Sequence, residues 1–367
     1  EEAARQGATA AIVIHETAPA SYGWDVVRNS WTGAQSDLVR ADGGAERAML
    51  EGWVTLDTAK SLFEEAGLNF DELKAAAAKP GFKPVPMGEL KASGRIVQTV
   101  DQLESRNVIG MIEGTETPEE HVLFTAHWDH LGKAETPADA NFNFASQDLI
   151  YNGAVDNATG TAALLEIAEA MVSEAPARST LFAAVTLEES GLLGSAYMAE
   201  NPVVPHNQIV AGINMDAMMP TGPSKNMVVV GYGASELEDI LSDVLDEDGR
   251  TVTPDPRPEA GSFYRSDHIS YAKKGVPMLY ADGGDDLVEG GKAAGQAMAA
   301  EYTDLRYHKP ADEYSEDWNM AGMVEDVQAL FEVGLRIAQS DEWPTWYEGN
   351  EFEAIRQEDL ASRDSAE

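Results

Sequence analysis

The segment Thr180–Gly191, TLFAAVTLEESG, limits the fold more than any other part of this chain. It is an unbroken apolar run that ends on two adjacent carboxylates, Glu188 and Glu189. A run without polar alternation suits a strand buried on both faces, as in a parallel sheet covered by helices. We expect a strand over Leu181–Leu187 with the acidic pair at its carboxyl end, where open α/β sheets collect their ligands. Neighbouring strand residues point in different directions, so one glutamate can hold a metal while the other handles a proton. A solvated charged turn is the ordinary explanation of an isolated Glu-Glu pair, because acids are mostly exposed. The rest of the chain has to decide between the two.

From Lys91 onward the sequence alternates regularly. Strands are expected over Arg106–Glu113, Val122–Ala126, Ile209–Met215, Met227–Val230 and Val276–Ala281. Helices are expected over Asn157–Val172, Leu192–Glu200, Glu236–Leu245 and Val324–Ile337. That order implies an α/β fold with a mainly parallel sheet covered on both faces. Residues 1–90 are less regular: EAARQGATAAIVI is a helix end, a Gly7 stop and a strand, Thr58–Ala66 and Asp71–Ala78 are short helices, and PGFKPVP at 80–86 is a linker. The expected division is 1–90, 91–345, and a polar surface tail at 346–367.

Charge and composition exclude several functions. With 64 acidic against 25 basic side chains, the net charge of -39 argues against nucleic acid or an anionic membrane as partner. Cationic ligands are favoured, although most of these acids would serve as a solubilising surface. Cysteine is absent. There is therefore no disulfide framework and no thiolate nucleophile, and any metal must be held by His, Asp and Glu. No apolar run reaches membrane-spanning length, and no signal peptide opens the chain.

Among seven histidines, His127 in FTAHWDHLG stands out, because it follows a buried-type strand and precedes Asp129 by two residues. Asp156 in NGAVDNATG precedes a helix, where an N-cap is the common role. Asp216 ends the strand VAGINMDAM, and His308 lies in the loop DLRYHKPAD. All of these fall at expected strand ends or adjoining loops, where one sheet would gather them. Two divalent ions sharing a bridging carboxylate, each with one His and one further carboxylate, need two His and three acids. His127, Asp156, Asp216, Glu189 and His308 meet that need and leave Glu188 as a base. Such a donor set suits zinc in hydrolytic sites. His130 is assigned to structure or the cleft wall, and Met215, Met218 and Met219 to packing near the site.

The order HWDHLG, NGAVDNATG, TLEESGLLGS, INMD, YRSDH and YHKPADE, from about Asn107 to Ala338, resembles the co-catalytic dizinc aminopeptidases related to bacterial leucyl aminopeptidase, aminopeptidase Y and glutamate carboxypeptidase. The resemblance implies a three-layer α/β/α zinc peptidase fold with two Zn2+ ions. In it His127 and Asp216 bind one zinc, Glu189 and His308 the other, and Asp156 bridges them; a cis Asp156–Asn157 peptide bond is implied as well. Glu188 is then the general base, Tyr307 the oxyanion stabiliser, and Asp129 the carboxylate that orients His127. Arg265 and Asp267 of the RSDH segment are candidate substrate contacts, with helix capping by Ser266 or Asp267 as the alternative role. The implied substrate is a peptide with a free N-terminus. A carboxypeptidase or dipeptidase of the glutamate carboxypeptidase type is the first alternative, followed by a one-zinc cyclase and a non-catalytic receptor-like relative. The segment GATAAIVIHETAPASYGW resembles the second half of a protease-associated domain, an insertion of secreted members. Sequence that precedes it in such relatives is not present, so an exported protein, periplasmic or secreted and processed or trimmed at its front, is expected. The spacer from Gly132 to Tyr151 is longer than in minimal aminopeptidases and is expected at the substrate cleft.

Overall fold

The computed structural model describes residues 2–41, 43–44, 47–134 and 148–364. By internal packing the chain divides into Glu1–Val27 with Val39–Glu104, and Arg28–Leu38 with Ser105–Glu367. In the first unit, α1 (Glu2–Arg5) leads through Gly7 to β1 (Ala10–His15), and α2 (Thr17–Ala20) precedes α3 (Trp24–Trp31), whose last turn is counted with the second unit. The strand β2 (Leu50–Thr55) then pairs with β1 in parallel, His15 opposite Thr55. Two capped helices follow: Thr55 accepts from the Thr58 amide at the start of α4 (Leu56–Glu65), and Asn69 from that of Glu72 at the start of α5 (Phe70–Ala77). No helix or strand occurs from residue 78 to 107, a stretch that includes the expected linker.

The second unit is built on β3 (Val108–Ile112), β4 (Thr117–His127), β7 (Arg178–Val185), β8 (Ile209–Asn214), β9 (Asn226–Val229), β10 (Thr251–Pro254) and β11 (Met278–Gly283). The short pair β5 (Gly132–Lys133) and β6 (Ile150–Tyr151) forms a separate ribbon. Across the main sheet the order is β10-β9-β11-β8-β4-β7-β3. The central strands β7, β4, β8 and β11 are mutually parallel, while β3 and the β9–β10 pair run against their neighbours. Alternate residues of β4 face opposite layers. Val122, Phe124 and Ala126 meet α6 (Gly160–Glu174), α8 (Leu237–Glu247) and α11 (Ala321–Gln339). Leu123, with Leu181, Ala183 and Val185 of β7, meets α7 (Leu193–Glu200) and α9 (His268–Ala272). The result is the three-layer α/β/α arrangement around a mixed, mainly parallel sheet.

Two expectations need correction. The strand ahead of the acidic pair is shorter than expected, since β7 ends at Val185 rather than Leu187 and the pair lies in the turn after it. The end of the chain is not a polar surface tail: Trp346, Phe352 and Arg356 are 2%, 6% and 1% exposed, and α12 (Glu353–Asp364) packs into the second unit. Its polar composition hides a face that hydrogen-bonds inward, with Arg356 donating to the carbonyls of Ile209 and Val210 at 3.0 and 2.6 Å. The strand β10 is a further element that the pattern did not announce, and the alanine-rich helix α10 (Gly291–Leu305) precedes the loop of His308. Residues 135–147 of the Gly132–Tyr151 spacer, for which a place at the cleft was expected, lie outside the described residues.

Candidate metal centre

Because β7, β4 and β8 are adjacent and parallel, their carboxyl ends lie side by side. His127 is the last residue of β4, Asp216 comes two residues after β8, and Glu188 and Glu189 occupy the turn after β7. Left-handed backbone at Leu187 (φ 55) and Ala217 (φ 54) turns the chain beside the acids, so the pair diverges by turn geometry rather than by strand alternation. Asp156 comes from an irregular turn, Ala154–Thr159, ahead of α6, and its peptide bond to Asn157 is cis, as the resemblance implies. His308 follows α10 and has φ 54.

The five expected ligands fall into two groups that share Asp156. His127 Nε2 lies 3.2 Å from Asp156 Oδ1 and 3.2 Å from Asp216 Oδ1. His308 Nε2 lies 3.3 Å from Asp156 Oδ2 and 3.2 Å from Glu189 Oε2. Each carboxylate oxygen of Asp156 thus addresses a different group. His130 also enters the second group, its Nδ1 paired with Glu189 Oε1, and His130, Asp156 and Glu189 hold donor atoms within 4.8 Å of one another. Sequence spacing gave His130 no such place.

Surrounding contacts fix these side chains. Asn157 donates to the Met215 carbonyl at 3.0 Å and accepts from the Ala217 amide at 3.0 Å, clasping Asp216 from both flanks. Thr125 donates to Asn214, Asn214 to Ser266, and Ser266 to Asp216 Oδ2 at 2.6 Å, a relay across the sheet. Neither Ser266 nor Asp267 caps α9 with its side chain. Asp312 accepts from the amides of Val155 and Asp156 at 3.0 Å and anchors the bridging residue. It lies within the YHKPADE run, four residues after His308, where only its motif could have signalled it. Asp129 meets His127 Nδ1 through its backbone carbonyl, at 3.0 Å, whereas its carboxylate is 3.8 Å away and accepts from the Glu188 amide.

The electrostatics of the site draw positive charge. Burial, then the carboxylates of Asp216, Glu189 and Asp267, push Glu188 well above the usual carboxylate range, with His127 opposing. Burial disfavours charge on His127, yet Asp216 and Glu188 raise it well above an ordinary histidine. His130 is likewise raised to about 9 by Glu189, Asp156 and Asp312 against the cost of burial. Imidazoles with an excess of carboxylates and no thiol are the donors zinc takes in hydrolytic sites, so these residues fit that ion. Tyr307 is half-buried, its ring centroid 3.9 Å from that of His308. Burial, then Asp156, keeps its phenol protonated, while Arg265 pulls the other way. Arg265 is exposed and Asp267 is buried at 1%.

Fold and donors together define an α/β protein with a metal centre of the hydrolytic type. Residues 107–331, more than half of the chain, match the family described as Peptidase family M28, and the chain belongs to that family. Among curated proteins it is similar to a glutamate carboxypeptidase 2 homolog of Caenorhabditis elegans, 34% identical over 120 residues, which are 31% of this chain and 13% of that protein. It is also similar to aminopeptidase NAALADL1 of Rattus norvegicus, 32% identical over 131 residues, 33% of this chain and 15% of that protein. The matched region therefore spans only about a seventh of these relatives. Among solved structures, an aminopeptidase from Aneurinibacillus sp. strain AM-1 aligns with a TM-score of 0.49 and 18% identity, covering 93% of this chain and 66% of that one.

Proposed function

We propose that this chain is a zinc-dependent exopeptidase, an aminopeptidase that removes N-terminal residues from peptides with two zinc ions and Glu188 as general base. The observation that carries the reading is the division of the Asp156 oxygens between two His/carboxylate groups, with Glu188 close to both groups in charge but a member of neither. His127 and Asp216 would hold one ion, His308 and Glu189 the other, and Asp156 would be shared. Bound there, zinc supplies Lewis acidity and makes water more acidic. Glu188 takes the proton of the attacking water and returns it to the leaving amine, which its elevated proton affinity suits. Tyr307, kept protonated, donates to the developing oxyanion. The acidic surroundings favour the substrate's free ammonium group. Arg265 would meet the substrate from solvent, while the buried Asp267 would act on it only through its field.

A carboxypeptidase reading draws support from the worm relative's name and from Arg265 within electrostatic reach of Tyr307. One experiment separates the two: digestion of a free and an N-acetylated form of the same peptide, with product analysis. We expect only the free form to lose its first residue. Equal cleavage of both, or release of the last residue, would overturn the aminopeptidase reading.

A further inference from the structure

His308 is held from outside its own loop by two residues in the last turn of α3. Asn29 Nδ2 donates to the His308 carbonyl at 2.8 Å, across 279 positions of sequence. Ser30 Oγ lies 2.7 Å from His308 Nδ1. His308 turns its Nε2 toward Asp156 and Glu189, so Nδ1 is its outer nitrogen. A ring whose Nε2 lone pair faces a cation carries its proton on Nδ1, and Nδ1–H then donates to the serine oxygen. The partner of that outer nitrogen sets the tautomer and aim of a ligating imidazole. Asn29 acts on the backbone of the same residue, whose φ of 54 is uncommon outside glycine. For His127 the equivalent partner is a main-chain carbonyl, that of Asp129. For His308 it is a side chain, and it lies outside residues 107–331 that match the family.

We propose that Ser30, supported by Asn29, is a positioning residue that completes the group of His308, Glu189 and Asp156. The second half of the centre then depends on segment 28–38, which packs with the peptidase unit. This inference rests on the reading of a dizinc centre above. It assigns Ser30 no contact with substrate.

The test compares the full chain with its Ser30→Ala, Ser30→Thr and His308→Ala variants. Zinc affinity is measured by competition with a chromophoric chelator, the ligand field by the visible spectrum of the cobalt-substituted protein, and the metal-free Tm by circular dichroism. Ser30→Ala should weaken one of two ions roughly 10–100-fold and shift the cobalt spectrum, with the metal-free Tm unchanged. Ser30→Thr should restore both, and His308→Ala should abolish that ion. If Ser30→Ala does not fold, Ser30→Val against Ser30→Thr gives the same comparison at nearly constant volume. Two wild-type affinities in the alanine variant would overturn the Ser30 proposal alone. So would a loss that follows the metal-free Tm and is not recovered by threonine. A wild-type chain that takes up fewer than two ions would instead overturn the dizinc reading, and this inference with it.

Discussion

Glu188 and Glu189 are neighbours in sequence with different surroundings. Glu189 places one oxygen against His308 and the other against His130. Glu188 has its amide tied to the Asp129 carboxylate, and its own carboxylate is felt by His127, Asp216 and Asp267. The left-handed Leu187 takes the pair off the strand, so turn geometry and not strand alternation separates the two side chains. The proposed division of labour between base and ligand can be measured at this one residue. Glu188→Gln should lower turnover of a leucine anilide by about 10²–10⁴-fold while leaving the zinc content unchanged. A fall of less than tenfold would mean that Glu188 is not the base, and loss of metal would mean that base and ligand are exchanged between the two glutamates.

At the scale of elements, α12 is attached to the amino-terminal ends of central strands by charge rather than by apolar packing alone. Arg356 reaches Ile209 and Val210 at the start of β8, while Arg363 meets Glu120 of β4 at 3.3 Å. The Trp343 ring lies under both guanidiniums, 5.1 Å from that of Arg356 and 4.0 Å from that of Arg363. Burial lowers Arg356 to about 10, still well above neutrality, so it remains a cation in the interior. Arg356→Met should therefore cost about 2–4 kcal/mol, from charged hydrogen bonds to buried carbonyls and the ring contact. Denaturant unfolding is the measurement. A change below about 0.5 kcal/mol, the usual size for a surface substitution, would return α12 to the role of a surface tail.

For the whole molecule, the response to acid depends on buried groups that prefer to be neutral. Burial holds His268 down at about 4 against the pull of the Asp216 carboxylate, with its ring between Phe263 and Tyr280 at 4.8 and 5.0 Å. Between pH 6.5 and 4 the unfolded chain binds a proton there that the folded chain refuses, so this contribution is present above pH 6.5 and lost as pH falls. The full loss is about 3 kcal/mol. Asp267 has the opposite sign, because burial and the Asp216 and Asp129 carboxylates push it up to about 7 against His127. Its folded form keeps a proton that the unfolded chain has released, and its contribution grows as pH falls. The two slopes oppose each other, so the wild-type curve alone hides them. In the presence of chelator, the stability of wild type relative to His268→Gln should decline from pH 6.5 to 4. A difference that stays constant with pH would show that His268 is not the group responsible.

What the sequence determined by itself is what local pattern can carry. Unbroken apolar runs marked the central parallel strands, the alternation from Lys91 onward marked the layers, and histidine or acid at strand ends and adjoining loops marked the residues that come together at the carboxyl ends of those strands. Each is a matter of residue type at a fixed spacing along one element. The tertiary structure alone decided that the glutamate pair sits in a turn, that His130 joins Glu189, that Asp312 anchors the Asp156 turn, and that α12 is part of the body. It also decided that Ser30 meets His308. These are single polar contacts between residues far apart in the chain, 157 positions for Asp312 with Val155 and 278 for Ser30 with His308. A hydrogen bond between distant residues leaves no period in either segment, so only the folded chain can place its two ends together.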